Sequence, residues 1–213
     1  MEVTIPTSWE DVTVEMYIKL RPVLQAKQEP IERVINLLCV LTDKKRNVIR
    51  DLQLTDYQKI VKKMKFLETE LPNKLKSKYF KIGGDWYTFK FDARQLSFGE
   101  YISTMELLQD ASKNEEIIHQ NLHRILTAIC RPVKRKWFRW KEIKLDGELL
   151  RKTTENIYKN MPITIAYPIG VFFYHHLQTS TRDTRISLIQ KATRTIKEAK
   201  QEMVSLSTGD GGH

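Results

Sequence analysis

The chain has 213 residues, 41% of them apolar and 29% charged, with eight glycines and seven prolines. That composition excludes a disordered polymer and a turn-rich β fold, and it suits one large domain or two smaller ones sharing a core. Charge is lopsided: Lys and Arg against Asp and Glu number 12 to 11 in residues 1–70, 8 to 7 in 71–130 and 16 to 8 in 131–213, so +8 of the net +10 lies in the last third. A field of that kind speaks of partners rather than of fold.

The opening residues Met1 to Pro6 have neither a basic nor an apolar leader region, so export is not expected. Helical periodicity then dominates. Met16, Tyr17, Leu20, Val23 and Leu24 line one face of a first helix, and Ile31, Val34, Ile35, Leu38 and Leu41 line a second, with Pro30 suited to its first turn. Tyr57, Ile60, Val61, Met64 and Leu67 predict a third, closed by Pro72. The segment Lys78 to Phe91 alternates around Gly83-Gly84-Asp85 and predicts a β-hairpin. A lone hairpin is marginal, so it needs helices to pack on or a further strand, for which residues 2–6 are a candidate.

Phe98, Tyr101, Ile102, Met105 and Leu108 predict a fourth helix, and Ile118, Leu122, Ile125, Leu126 and Ile129 a fifth, stopped by Pro132. Asp146 caps a sixth, Met161-Pro162 breaks it, an apolar helix follows around 163–178, and a last one spans about 183–206 before a loose tail. The expectation is a mainly α domain of seven to eight helices with one β-hairpin at about 78–91. Residues 1–130 would form the helical domain with its inserted hairpin, and 131–213 a basic helical region packed on it. Val12-Thr13, Leu54-Thr55 and Leu96-Ser97 stand 42 residues apart, each an aliphatic residue before a hydroxyl cap. This spacing fits either ordinary helix starts or an old duplication of a helix pair.

Catalytic signatures are missing from the sequence. His119 and His123 sit four apart, but position 120 is Gln where a zinc hydrolase has its Glu. Gly83-Gly84 lacks the Lys-Ser/Thr of a phosphate loop, and no Gly-x-Ser-x-Gly elbow occurs. Cys39 and Cys130 read as core residues of a protein made in a reducing compartment, His175-His176 as the end of a helix. No cofactor, metal, catalytic residue or membrane contact is expected.

The strongest constellation is the run 131–144, whose seven cations Arg131, Lys134, Arg135, Lys136, Arg139, Lys141 and Lys144 are interleaved with Trp137, Phe138 and Trp140. Cations with aromatic platforms serve single-stranded nucleic acid, where each stacked base contributes roughly 1–3 kcal/mol. The same residues serve equally as a protein interface, or as basic stems lying over a packed Trp137 and Trp140. Arg182, Arg185 and Arg194 continue the basic theme in the predicted last helix.

Ile5-Pro6-Thr7-Ser8-Trp9 through Tyr17 resembles the start of small helical virion and tail-assembly proteins of crAss-like bacteriophages of gut Bacteroidales. Gly84-Asp85-Trp86, Leu96 to Tyr101, and Met161-Pro162 followed by Phe172-Phe173 fit the same style. The resemblance implies a non-enzymatic virion component made in the host cytoplasm, chiefly a ring subunit of the neck or tail. Its partners would be copies of itself in a cyclic ring, the portal or other ring proteins, and DNA. A tail-assembly chaperone and an internal cargo protein are the alternatives it implies, and a nucleic-acid-binding module using 131–144 is the alternative from another class.

Overall fold

The computed structural model describes residues 5–75, 77–90, 96, 97, 99, 100, 102, 104–106, 116–137 and 139–175. The chain divides into a first unit, Met1–Phe172, and a second, Phe173–His213. The architecture described here is that of the first. The predicted last helix with Arg182, Arg185 and Arg194, the tail, and the strand candidate at 2–4 lie outside the described residues.

The molecule is mostly helical, as the periodicity predicts. A 3-10 turn, Trp9–Asp11, leads into α1 (Val14–Gln25), α2 (Pro30–Thr42), α3 (Arg46–Arg50) and α4 (Leu54–Lys63), which tightens into a second 3-10 turn, Met64–Glu68. Thr13 caps α1 by accepting the Met16 amide at 3.3 Å, and Pro30 opens α2. Thr55 does not repeat the cap: Gln53 holds that place and Thr55 lies inside α4. Ser97 does repeat it. Its amide donates to Glu100 at 2.8 Å while its hydroxyl accepts the Glu100 amide at 3.3 Å, a full capping box at the start of α5, whose described helical residues are 99, 100, 102 and 104–106.

The predicted fifth helix is two. Asn121 leaves helical geometry between α6 (Glu116–Gln120) and α7 (Leu122–Ile129). Asp146 caps α8 (Gly147–Asn160) through the Leu149 amide at 2.8 Å, and α9 follows at 163–175. Between α8 and α9 the chain returns to α1: Val14 donates to the Met161 carbonyl at 3.0 Å and Ile163 to that of Val12 at 2.7 Å. That two-bond bridge joins two helix starts and seals Val12 and Met161, both fully buried. Around it α1 packs on α2 and α8, and α7 on α8.

The predicted hairpin is present as β1 (Tyr79–Ile82) and β2 (Asp85–Phe89), with Gly83 and Gly84 at φ +54° and +97° in its turn. Glycine suits 83 because φ is left-handed there and a Cβ would stand 2.3 Å from the Asn156 amide oxygen, which would have to move. The nitrogen of that same amide ties α8 to the sheet, donating to the Ile82 carbonyl at 3.2 Å and the Tyr87 hydroxyl at 2.9 Å. The hairpin does not stand alone: among the described residues its partner is a second hairpin. Residues 130–142 form a second hairpin, β3 (Cys130–Lys136) and β4 (Arg139–Glu142), giving an antiparallel sheet of order β1-β2-β3-β4.

Pro132 therefore sits inside a strand rather than merely ending a helix. Its carbonyl accepts from Ile143 at 2.9 Å, so the side of Pro132 that lacks a donor faces β4, and no bond to β2 is lost. One face of the sheet carries Phe80, Ile82, Tyr87, Phe89 and Cys130, all buried, with Phe89 meeting Phe172 edge-on at 6.5 Å.

Candidate functional site

The 131–144 run is not one patch, and alternation along β3 and β4 separates its members. The register sets Thr88 opposite Arg131, Trp86 opposite Val133 and Arg135 opposite Trp140, so these share the face of Tyr79 and Lys81. Lys134 faces Lys141 and Lys136 faces Arg139 on the other side of the same ribbon.

Arg131 leaves the patch altogether. It is 5% exposed, its guanidinium pairs with Glu100, and it donates to the carbonyls of Thr127 at 3.2 Å and Cys130 at 2.7 Å. Lys90 completes the cluster at 3.0 Å from the second Glu100 oxygen. Partial burial pushes the Glu100 carboxyl up, but the Ser97 amide, Lys90 and Arg131 together outweigh it and hold the group below its ordinary value. This cation locks α5 onto the sheet.

Trp140 is also committed internally. Its ring stacks on Tyr79 at 5.1 Å and lies against Trp86 at 5.1 Å. Tyr79 and Trp140 belong to the two edge strands, which a flat four-stranded sheet would hold about 14 Å apart. The sheet must curl toward this face, with Trp86 lying against the Trp140 ring. Half-buried as it is, Trp140 anchors β4 and offers no open platform for a base.

What remains is a two-stranded ribbon. Pairing with β2 stops at Val133, so residues 134–141 extend past the rest of the sheet. Five of those eight residues are cations, Lys134, Arg135, Lys136, Arg139 and Lys141. All five are exposed, and among the described residues none of them is in an ion pair. Lys144 follows, exposed, beyond β4. Two like-charged pairs directly opposite each other destabilise a hairpin, so the isolated fold gives no reason for this arrangement.

Trp137 adds a second cost at the tip, being 86% exposed with φ +56°. A bulky residue in the left-handed region costs on the order of 1 kcal/mol, and Asn or Gly fills such turn positions without it. Trp137→Asn should accordingly stabilise the protein by about 1 kcal/mol, raising the melting midpoint by roughly 2–4 °C. A midpoint that stays put or falls would mean the indole packs on something that holds it.

His119 and His123 do not share one helix face. They lie on either side of the Asn121 break: His119 meets the Tyr17 ring at 6.0 Å, His123 the Tyr158 ring at 5.0 Å. Among the described residues no three His, Cys, Asp or Glu gather in metal-binding range. His123 does line an open cleft of about 510 Å³ with Ile18, Gln120, Arg151 and Tyr158. Burial and then Arg124 push its imidazole below the ordinary value. Burial pushes the Cys130 thiol up to about 12, so it stays protonated at neutral pH. No helix among the described residues is long and apolar enough to cross a membrane. Compared with protein-family models, with curated proteins and with solved structures, the chain matches none.

Proposed function

We propose that this protein is a non-enzymatic structural subunit of a bacteriophage particle, a ring component of the neck or tail, and that the β3–β4 ribbon is the arm by which it grips an acidic partner. The contact role rests on one observation: Lys134 faces Lys141 and Lys136 faces Arg139 across two strands, with no acid between them. An acidic surface brought against that ribbon removes the repulsion, so the arrangement costs stability in the free chain and contributes it in the complex. The phage setting rests on the resemblance carried by Ile5–Tyr17.

Mass spectrometry of purified particles tests this reading. A ring subunit is expected in the virion at a fixed low multiple of the portal, and imaging should give it cyclic symmetry. Absence from the particle would reassign the chain to tail assembly, and presence without symmetry would make it cargo.

A further inference from the structure

We infer that the acidic partner of the ribbon is duplex DNA, bound through its phosphates. The inference rests on reading the ribbon as a contact arm, and it deepens that reading by naming what the arm holds. Two antiparallel strands without a third are one of the two shapes that the major groove of B-DNA, about 12 Å wide, admits. Among the described residues, 134–137 and 139–141 have that shape, since β2 stops pairing at Val133. Lys134, Lys136, Arg139 and Lys141 project from one face of the ribbon while Arg135 projects from the other, so cations line both of its sides. A ribbon lying between two phosphate backbones needs that distribution.

Single strands fit less well. A single-strand binder needs successive aromatic platforms beside its cations, yet Trp140 is stacked on Tyr79 and Trp86, leaving Trp137 as the one tryptophan of the ribbon with an open face. No acid occurs between Arg131 and Lys141, and no Asn or Gln stands among residues 134–141 to offer adenine its bidentate partner. Charge and shape carry the contact.

The full-length protein should be titrated against a fluorescent 24-base-pair duplex, the matching single strand and polyglutamate, between 50 and 200 mM salt. Four phosphate contacts predict a logarithmic salt slope of about −3.6 or steeper, which is about a 150-fold loss of affinity over that range. Lys136→Gln with Arg139→Gln should flatten the slope by about 1.8. This difference isolates the ribbon from the basic residues after 175, which both proteins share. The double variant relieves one like-charged pair at exposed positions, so its thermal midpoint should be equal to or above that of the parent. The inference is overturned if the duplex is not bound at 50 mM salt, if the variant keeps the parental slope, or if the single strand or polyglutamate binds more tightly than the duplex. Each of these is independent of whether the protein is found in particles, so a failed DNA contact and a failed virion assignment are told apart.

Discussion

Glu100→Ala should destabilise the protein by about 3 kcal/mol, a fall of roughly 6–12 °C in the thermal midpoint. The carboxylate does three things at once. It closes the Ser97 capping box, pairs with Lys90, and neutralises Arg131, whose side chain is 6% exposed. Removing it leaves a buried guanidinium whose remaining partners are two carbonyls, at 3.2 and 2.7 Å. Adding Arg131→Met to Glu100→Ala should recover part of the loss, because the unpaired buried charge goes with it. If the double variant is as unstable as the sum of the two singles, the pair is not coupled and the account fails.

The same cluster sets a pH dependence. Glu100 is held below its ordinary value of 4.5 in the fold. A depressed carboxylate contributes its full stability above the unfolded value and loses it as pH falls through the folded one. The parent and Glu100→Ala should thus differ by a constant amount above pH 4.5 and converge below it. Denaturant midpoints measured across that range would show the convergence or refute it.

Thr13, Pro30 and Asp146 made their helices legible because a cap acts within four residues and leaves a local signature. The hairpin around Gly83-Gly84 was legible for the same reason. The split of the fifth helix at Asn121 was hidden, since the apolar spacing runs through it unbroken from Ile118 to Ile129. Strands β3 and β4 were hidden more deeply. Lysine and proline argue against a strand, and Pro132 reads as a helix stop until the β2 side of its backbone is known to be free of need for its donor. Arg131 looked like the first cation of the patch, and only its partner, 31 residues earlier in the chain, turns it inward. The basic character of the site was written in composition; its division into a buried lock, an aromatic anchor and an exposed ribbon was set by pairing between distant segments.

Trp140→Ala should cost about 2–3 kcal/mol and should also release the ribbon. Its ring is the link between the far edge strand and the concave face, touching Tyr79 and Trp86 more than 50 residues away in sequence. Without it β4 keeps its bonds to β3, but the pair is no longer drawn onto the rest of the sheet. Against the repulsion of Lys134 with Lys141 and Lys136 with Arg139, the backbone ladder of residues 134–141 must then stand alone, and a lone two-stranded hairpin is marginal in water. Hydrogen exchange should therefore quicken at the amides of 134–141 while those of α1 and α8 keep their protection. The near-ultraviolet dichroism arising from the tilted Trp86–Trp140 pair should disappear as well. Duplex affinity should fall although every cation remains, because a ribbon that must be ordered on binding loses that ordering free energy from the complex. Trp140→Phe, which keeps a ring against Tyr79, should restore most of the amide protection. If exchange in the ribbon is the same in Trp140→Ala as in the parent, the hairpin is stiff by itself and Trp140 is a packing residue without a part in presenting the cations.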